Sequence, residues 1–212
     1  MNKTQALKIL SAPSKMPGYT YNLHPESCKT GSKLRAIPGS VCADCYACKG
    51  NYCFPVVQNA MRRRVQEIQA KQWEHNIIAA IRTTKTVWFR WHDAGDLQSV
   101  EHLAKIVRIA RTMPEVNFWL PTKEYGFVRQ YLGTIEHWLP YNLTIRLSAH
   151  MQDNYKTPAK YGKRWNFPIS IVENKLQFSE AFQCPAPNQN GKCADCRACW
   201  DKNVFCVAYQ KH

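Results

Sequence analysis

A seven-residue pattern occurs twice in this chain, and it restricts the possible folds more than any other feature. Near the amino end the order is Cys42-Ala43-Asp44-Cys45-Tyr46-Ala47-Cys48, and near the carboxyl end it is Cys193-Ala194-Asp195-Cys196-Arg197-Ala198-Cys199. Both copies are C-A-D-C-x-A-C, so a thiol returns at every third position of a tight loop. Cys28 and Cys53 flank the first copy, and Cys184 and Cys206 flank the second. All ten cysteines therefore fall into two groups, with none between Cys53 and Cys184.

Two readings of so many cysteines compete. The start, MNKTQALKIL, lacks the apolar run of an export signal. No apolar stretch is long enough to span a bilayer, so membrane association is not expected. A reducing cytoplasm is the expected compartment, and there closely spaced C-x2-C repeats point to metal rather than to disulfides. Structural zinc sites usually pair two short knuckles across a spacer. A triplet C-x2-C-x2-C with a remote Cys-Pro is instead the pattern of a 4Fe-4S cluster, and Cys184-Pro185 supplies that dipeptide. Cys184, Cys193, Cys196 and Cys199 make a closed set of four, which leaves Cys206 spare. At the amino end Cys28, Cys42, Cys45, Cys48 and Cys53 compete for at most four places. Should three of them bind, one iron stays open to a cosubstrate. One or two 4Fe-4S clusters are expected, with zinc as the alternative metal.

The remainder of the 212 residues, 45% of them hydrophobic, can bury one sizeable core. Residues 1–41 read as irregular, apart from a short strand within Tyr19 to Leu23. Apolar positions from Val56 to Ile81 recur at helical spacing. Apolar runs at Thr86 to Trp91, Val116 to Leu120, Leu143 to Leu147 and Ile169 to Val172 follow, beginning every 26 to 30 residues. Helical stretches at Ser99 to Thr112 and Tyr125 to Trp138 separate the first three, while Ala149 to Pro168 shows no clear helix. Strand and helix in alternation predict right-handed crossovers and a parallel sheet. The expected architecture is a single α/β domain, a partial βα barrel with cysteine-rich metal-binding loops at both ends. It divides into an N-terminal cluster segment (1–54), a βα core (55–175) and a C-terminal cysteine-rich segment (176–212).

Polar residues gather where the predicted strands end. His92, Gly95 and Asp96 follow the first run, Lys123 follows the second, and Arg146, Ser148 and His150 close the third. Ligands in parallel α/β sheets sit at the carboxyl ends of the strands, so these residues are candidates for holding a cofactor or substrate. The formal net charge is +14, which favours a polyanionic partner such as nucleic acid, with a host protein as the other possibility. Arg62 to Arg64 read as a solvated helix face, whereas Lys156 to Trp165 mixes charge and aromatics and is the better candidate contact. A G-x-S-x-G elbow, a P-loop and an H-E-x-x-H helix are all absent, so classical hydrolase and nucleotidase chemistry has no anchor. Oligomeric state and substrate are not legible.

Taken together, Ser27-Cys28, Cys42-x2-Cys45-Tyr46-Ala47, Lys49-Gly50, Tyr52, Arg90-x-His92, Gly95-Asp96, Cys184-Pro185-Ala186, Cys193-x2-Cys196, Cys199-Trp200, Tyr209 and His212 resemble the phage gene product 88 family. In that family's pattern Cys28, Cys42 and Cys45 are the recurrent N-terminal cysteines, and Cys48 and Cys53 are less typical. The order of parts also resembles the radical S-adenosylmethionine enzymes, in which a three-cysteine loop follows the first strand of a partial barrel and precedes a helix and a strand with a glycine-acid end. The spacing here departs from that family's C-x3-C-x2-C. This second resemblance implies that Cys28, Cys42 and Cys45 hold the cluster and that Gly95 and Asp96 meet the methionine amino group. It also implies that His92, Lys123, Arg146 or Ser148 meet the ribose or a substrate related to nucleotides or nucleic acid.

Overall fold

A computed structural model describes residues 1–134, 138–175 and 177–211. Asn2 caps the first helix, α1 (Lys3–Ile9), by accepting from the Gln5 amide while the Gln5 side chain accepts from the Asn2 amide. This reciprocal capping box starts a helix in a stretch that reads as irregular. Strand β1 (Tyr19–Tyr21) follows, then α2 (Lys29–Leu34). Where helical spacing runs unbroken from Val56 to Ile81, the structure has two helices, α3 (Pro55–Glu67) and α4 (Trp73–Thr84). Long-range bonds stabilise the break: Lys105 Nζ donates to the Ile68 carbonyl at 2.7 Å, and the Tyr21 hydroxyl donates to the Arg64 carbonyl at 2.9 Å. Carbonyls at a helix end need such partners.

The alternating core comes next: β2 (Trp88–Trp91), α5 (Val100–Thr112), β3 (Asn117–Thr122), α6 (Tyr125–Leu132), β4 (Leu143–Ser148), α7 (Lys156–Trp165) and β5 (Ile169–Glu173). Ser99 caps α5 by accepting from the His102 amide. Gly133 ends α6, and the predicted continuation of that helix through 135–137 lies outside the described residues. Helix α7 corrects the reading of Ala149 to Pro168 as helix-free. Pro158 and Gly162, which read as breakers, are both accommodated. Pro158 sits in the first turn, where its missing N–H costs nothing. Gly162 lies so close to β5 that a Cβ there would stand 2.6 Å from Ile169 Cγ2 and 2.7 Å from the Phe167 carbonyl.

Two further strands, β6 (Phe182–Gln183) and β7 (Cys206–Gln210), complete a seven-stranded, wholly parallel sheet in the order β1-β2-β3-β4-β5-β7-β6. The carboxyl segment is thus not an appendage: β7 is inserted between β5 and β6. Phe89, Trp91, Phe118, Leu120, Ile145, Leu147, Ile169, Ile171 and Ala208 share one core with α1, α4 and α5. Period-two alternation sends Trp88, Arg90, Trp119, Thr144, Arg146 and Tyr209 to the opposite face. That face is covered by the segment from Ala198 to Phe205, since Trp200 Nε1 donates to the Phe89 carbonyl at 3.0 Å and its carbonyl accepts from Thr144 Oγ1 at 2.6 Å. Both faces are therefore buried, as every residue of β4 is, which suits an all-parallel sheet. Among the described residues no helix is long and apolar enough to cross a membrane.

Candidate metal centre at the carboxyl ends of the strands

The first cysteine group is built on the connection that leaves β1. Leu23 N donates to the Ala94 carbonyl at 2.9 Å, which ties this connection to the end of β2. Cys28 then stands at the start of α2. The helix is fixed from outside by Glu124 at the end of β3, whose oxygens accept from the Thr30 amide (2.7 Å) and the Thr30 hydroxyl (2.8 Å). Beyond α2 the chain is stitched to the loop after β4. Val41 N donates to the His150 carbonyl, Gln152 N to the Gly39 carbonyl, and Gln152 Nε2 to the Ser40 carbonyl. These ties carry Cys42 back over the sheet to the neighbourhood of Cys28.

Gly31 lies between the two sulfurs. A Cβ on it would sit 3.0 Å from Cys28 Cβ and 3.6 Å from the Sγ atoms of both Cys28 and Cys42. The missing side chain leaves a cradle between the thiols. Burial pushes the Cys28 thiol well above its usual range, with Asp96, Cys45 and Cys42 as further electrostatic neighbours raising it and Lys123 opposing them. Burial likewise raises Cys42, against the pull of Lys123 and Arg35. Cys28, Cys42 and Cys45 thus share one half-buried, electrostatically strained neighbourhood, in which thiolates require a nearby cation. Cys48 and Cys53 are exposed, and Cys53 Sγ donates to the Cys48 carbonyl at 3.2 Å. The structure keeps these two at the margin of the group.

The second group is held by the other end of the chain. Cys184 N donates to the Ala208 carbonyl of β7, Cys193 N to the Lys15 carbonyl, and Cys196 N to the Cys193 carbonyl. Cys199 Sγ and the Tyr209 hydroxyl are 3.1 Å apart. Burial pushes the Cys199 thiol up to about 11, opposed by that hydrogen bond and by Arg146 and Arg90. Cys184, Cys193 and Cys196 are electrostatic neighbours of one another. Cys206 stands apart, since it is buried in the helix-facing core of β7. Among the described residues no three His, Cys, Asp or Glu side chains close together as the ligands of a single ion. The donors that could serve at either loop are all sulfur.

The strand-end candidates have divided fates. Arg146 is not a substrate ligand. It is fully buried, and its guanidinium donates to the carbonyls of Ile169 (2.8 Å), Val204, Ala198 and Asp201 (each 3.0 Å), with longer contacts to Cys199 and Phe205. With every donor engaged, it is the clamp that holds the second cysteine loop against the sheet. His92 is likewise withdrawn. It is 2% exposed, pairs its Nδ1 with the Tyr21 carbonyl at 2.9 Å and lies 5.2 Å from the His102 ring beneath α5. Gly95, at φ +87°, is required by close packing, for a Cβ would meet Leu23 Cβ at 2.5 Å. Asp96 is buried and accepts from Thr122 Oγ1 (2.6 Å), Leu97 N (2.7 Å) and Lys123 N (2.8 Å). It buttresses the floor beside Cys28. Ser148 pairs with Ser170 at 3.1 Å. Lys123 is half-buried beside the thiols, and among the described residues its ammonium has no hydrogen-bond or ion-pair partner.

Spacing alone left several working residues unseen. Glu124 and Gly31 carry no motif. Asp93 is the centre of a half-buried knot: it accepts from Arg90 at 2.7 Å through Oδ1, from the Tyr52 hydroxyl through Oδ2, and from the hydroxyl of the exposed Tyr46 through its carbonyl.

Compared with known protein families, the chain matches the family model described as gene product 88 over residues 1–202. Neither the curated proteins nor the solved structures gave a match.

Proposed function

The chain belongs to the gene product 88 family, and on that footing we propose that it is an iron–sulfur protein with radical S-adenosylmethionine-like chemistry on a nucleotide or nucleic-acid-related substrate. One observation carries this reading: Cys28, Cys42 and Cys45, all on the connection between β1 and β2, converge beside Asp96 at the carboxyl pole of a parallel sheet. Strands β1 to β5 are neighbours in sequence order, and right-handed crossovers in such an order put the helices on one face. This supports the partial-barrel architecture and sets the three thiols at its mouth. When bound, a 4Fe-4S cluster with three protein thiolates supplies an open iron and a low-potential electron for cleaving S-adenosylmethionine.

The protein's own part is placement. Glu124 and the 150–152 loop fix the thiols, and Gly31 keeps the space between them clear. Lys123, beside Cys28 and Cys42, offers its ammonium to the carboxylate of an anionic cosubstrate. Cys184, Cys193, Cys196 and Cys199, under the Arg146 clamp, would supply four thiolates to a second cluster.

The test is iron, sulfide and zinc content of anaerobically purified protein, with electron paramagnetic resonance of the dithionite-reduced form before and after S-adenosylmethionine. Iron and sulfide in both groups with a spectral shift on adding the nucleoside is the expected result. Iron without a shift removes the catalytic part of the reading. Zinc without sulfide overturns it.

A second reading has an observation of its own. Lys156, Lys160, Lys163 and Arg164 are exposed along α7, with no ion-pair partner among the described residues, and such a row suits a polyanion. Salt-sensitive binding of mixed-sequence DNA or RNA without turnover favours a metal-stabilised, non-catalytic binding protein.

A further inference from the structure

Helices α1 and α3 border an open groove that no cysteine lines. Its volume is about 390 Å³, and its walls are Leu7, Leu10 and Ala12 from one side and Val56, Val57 and Ala60 from the other, together with Ser11 and Arg64. Two hydrogen bonds hold the walls in place: Arg63 Nη2 donates to the Lys8 carbonyl and Arg64 Nη1 to Ser11 Oγ, each at 2.8 Å. The rim is apolar and faces water. Val56 is 75% exposed and Leu7 40%, and Phe54, which precedes α3, is 57% exposed. Large apolar side chains gathered at a surface mark a contact site.

The groove also holds a charge. Arg62 and Arg63 are exposed, as a solvated helix face requires, but Arg64 is only 4% exposed. Its guanidinium donates to one neutral hydroxyl, that of Ser11, and its Cζ lies 5.8 Å from the centroid of the Tyr21 ring. Its Nε is buried and has no hydrogen-bond partner among the described residues. Burial pushes the Arg64 pKa down and Arg63 adds to this, while Tyr21 and Glu67 oppose. Glu67 is already engaged, since it pairs with Arg63 at 3.3 Å. A buried cation without its own carboxylate is costly, and an anion that reaches it offsets part of that cost.

The surroundings carry the same sign. Helices α1 and α3 bring Lys3, Lys8, Arg62, Arg63 and Arg64 against the single carboxylate of Glu67. The occupant is therefore acidic, and it needs an apolar face to match the walls. Nucleic acid has the charge and lacks that face. A small molecule is mostly enclosed by its site, whereas the Val56 rim stands open. A second copy of the chain brings the same net charge of +14. An acidic amphipathic helix laid between two helices meets every condition.

We propose that the groove between α1 and α3 is a docking site for an acidic amphipathic helix of a partner protein. A carboxylate of that helix pairs with Arg64, and its apolar side chains fill the space between Leu7 and Val56.

The test is a titration of the full chain, followed by amide NMR, with a synthetic helical peptide of about 14 residues, or four turns. The peptide has leucine at every third or fourth position and glutamate elsewhere, and a control peptide has lysine in place of glutamate. The glutamate peptide should shift amides of α1 and α3, and the lysine peptide should not. V56E places a like charge on an exposed rim position and should weaken binding about tenfold at unchanged Tm, as should R64M. Equal binding of the two peptides, wild-type affinity in V56E, or no shift at millimolar peptide overturns the proposal. Concentration-dependent shifts of α1 and α3 without peptide also overturn it, by giving the groove to a second copy. If R64M does not fold, V56E and the lysine peptide decide.

Discussion

Glu124 grips Thr30 with both carboxylate oxygens, at 2.7 Å to the amide and 2.8 Å to the hydroxyl. The pair joins positions 94 residues apart and ties α2 to the end of β3. A hydrogen bond to a charged group contributes about 1.5–3 kcal/mol. E124A should therefore lower stability by about 2 kcal/mol, a fall in Tm of about 4–8 °C for a chain of this size. It should also lower metal content at the N-terminal group, and E124Q, which keeps one acceptor, should do less of both. Unchanged Tm and metal content in E124A would show that α2 is held some other way.

Gly31 separates folding from loading. It lies inside α2, where alanine is favoured over glycine by about 0.8–1 kcal/mol, so G31A should melt no lower than the wild-type protein. Its new methyl group would enter the cradle 3.6 Å from both sulfurs. Iron per chain should then fall by the share of one group, with circular dichroism unchanged. Full iron in G31A would place the cluster elsewhere.

Arg146 provides the opposite case, a charged residue whose role is structural. Four carbonyls lie within 3.0 Å of its guanidinium, and a buried acceptor left without a donor costs about 1–3 kcal/mol. R146M should cost more than about 3 kcal/mol on that basis and release the second cysteine loop. A lysine has one compact ammonium and cannot serve the same fork of acceptors, so R146K should fail nearly as badly. The check is a denaturant midpoint together with iron content. A stable R146K with full metal would refute the clamp.

Acid should destabilise the fold through two histidines. Burial lowers His92 to about 4, the Tyr21 carbonyl opposing and Arg90 adding to the effect, and lowers His102 well below its usual value, with His92 and Lys105 adding to it. The unfolded chain takes up these protons near 6.5 while the folded one refuses them. Stability is therefore complete above about pH 6.5 and is lost towards about pH 4, by up to about 1.4 kcal/mol per pH unit per group. Asp96 works the other way. Burial raises it to about 6, with its bonds to Thr122 and Lys123 opposing, so its protonation favours the folded state between about 6 and 3.8. Two histidines outweigh one carboxylate, and the urea midpoint should fall from pH 7 to pH 5. The His92 and His102 ring protons should hold their neutral NMR shifts to pH 5, and early titration of either would contradict the burial seen here.

Much of this molecule was legible before any coordinates. Apolar runs recurring every 26 to 30 residues placed β2 to β5, and helical spacing placed α5, because both signals are local. The two cysteine-rich segments were legible for the same reason: the C-A-D-C-x-A-C spacing is short-range. Tertiary structure decided the rest. Helix α7 exists because Gly162 lets it lie against Ile169 and Phe167, a close approach that no count of apolar residues reveals. Cys206, spare in the sequence, is taken into the core because β7 lies between β5 and β6. Arg146 and His92 looked like strand-end ligands, but the face each occupies set their roles: one clamps carbonyls under the second loop and the other is buried beneath α5. Residues 94 apart, such as Thr30 and Glu124, meet only after the sheet has set its register. Sequence spacing specifies neighbours along an element, whereas the pairing of distant elements is settled by packing the whole chain at once.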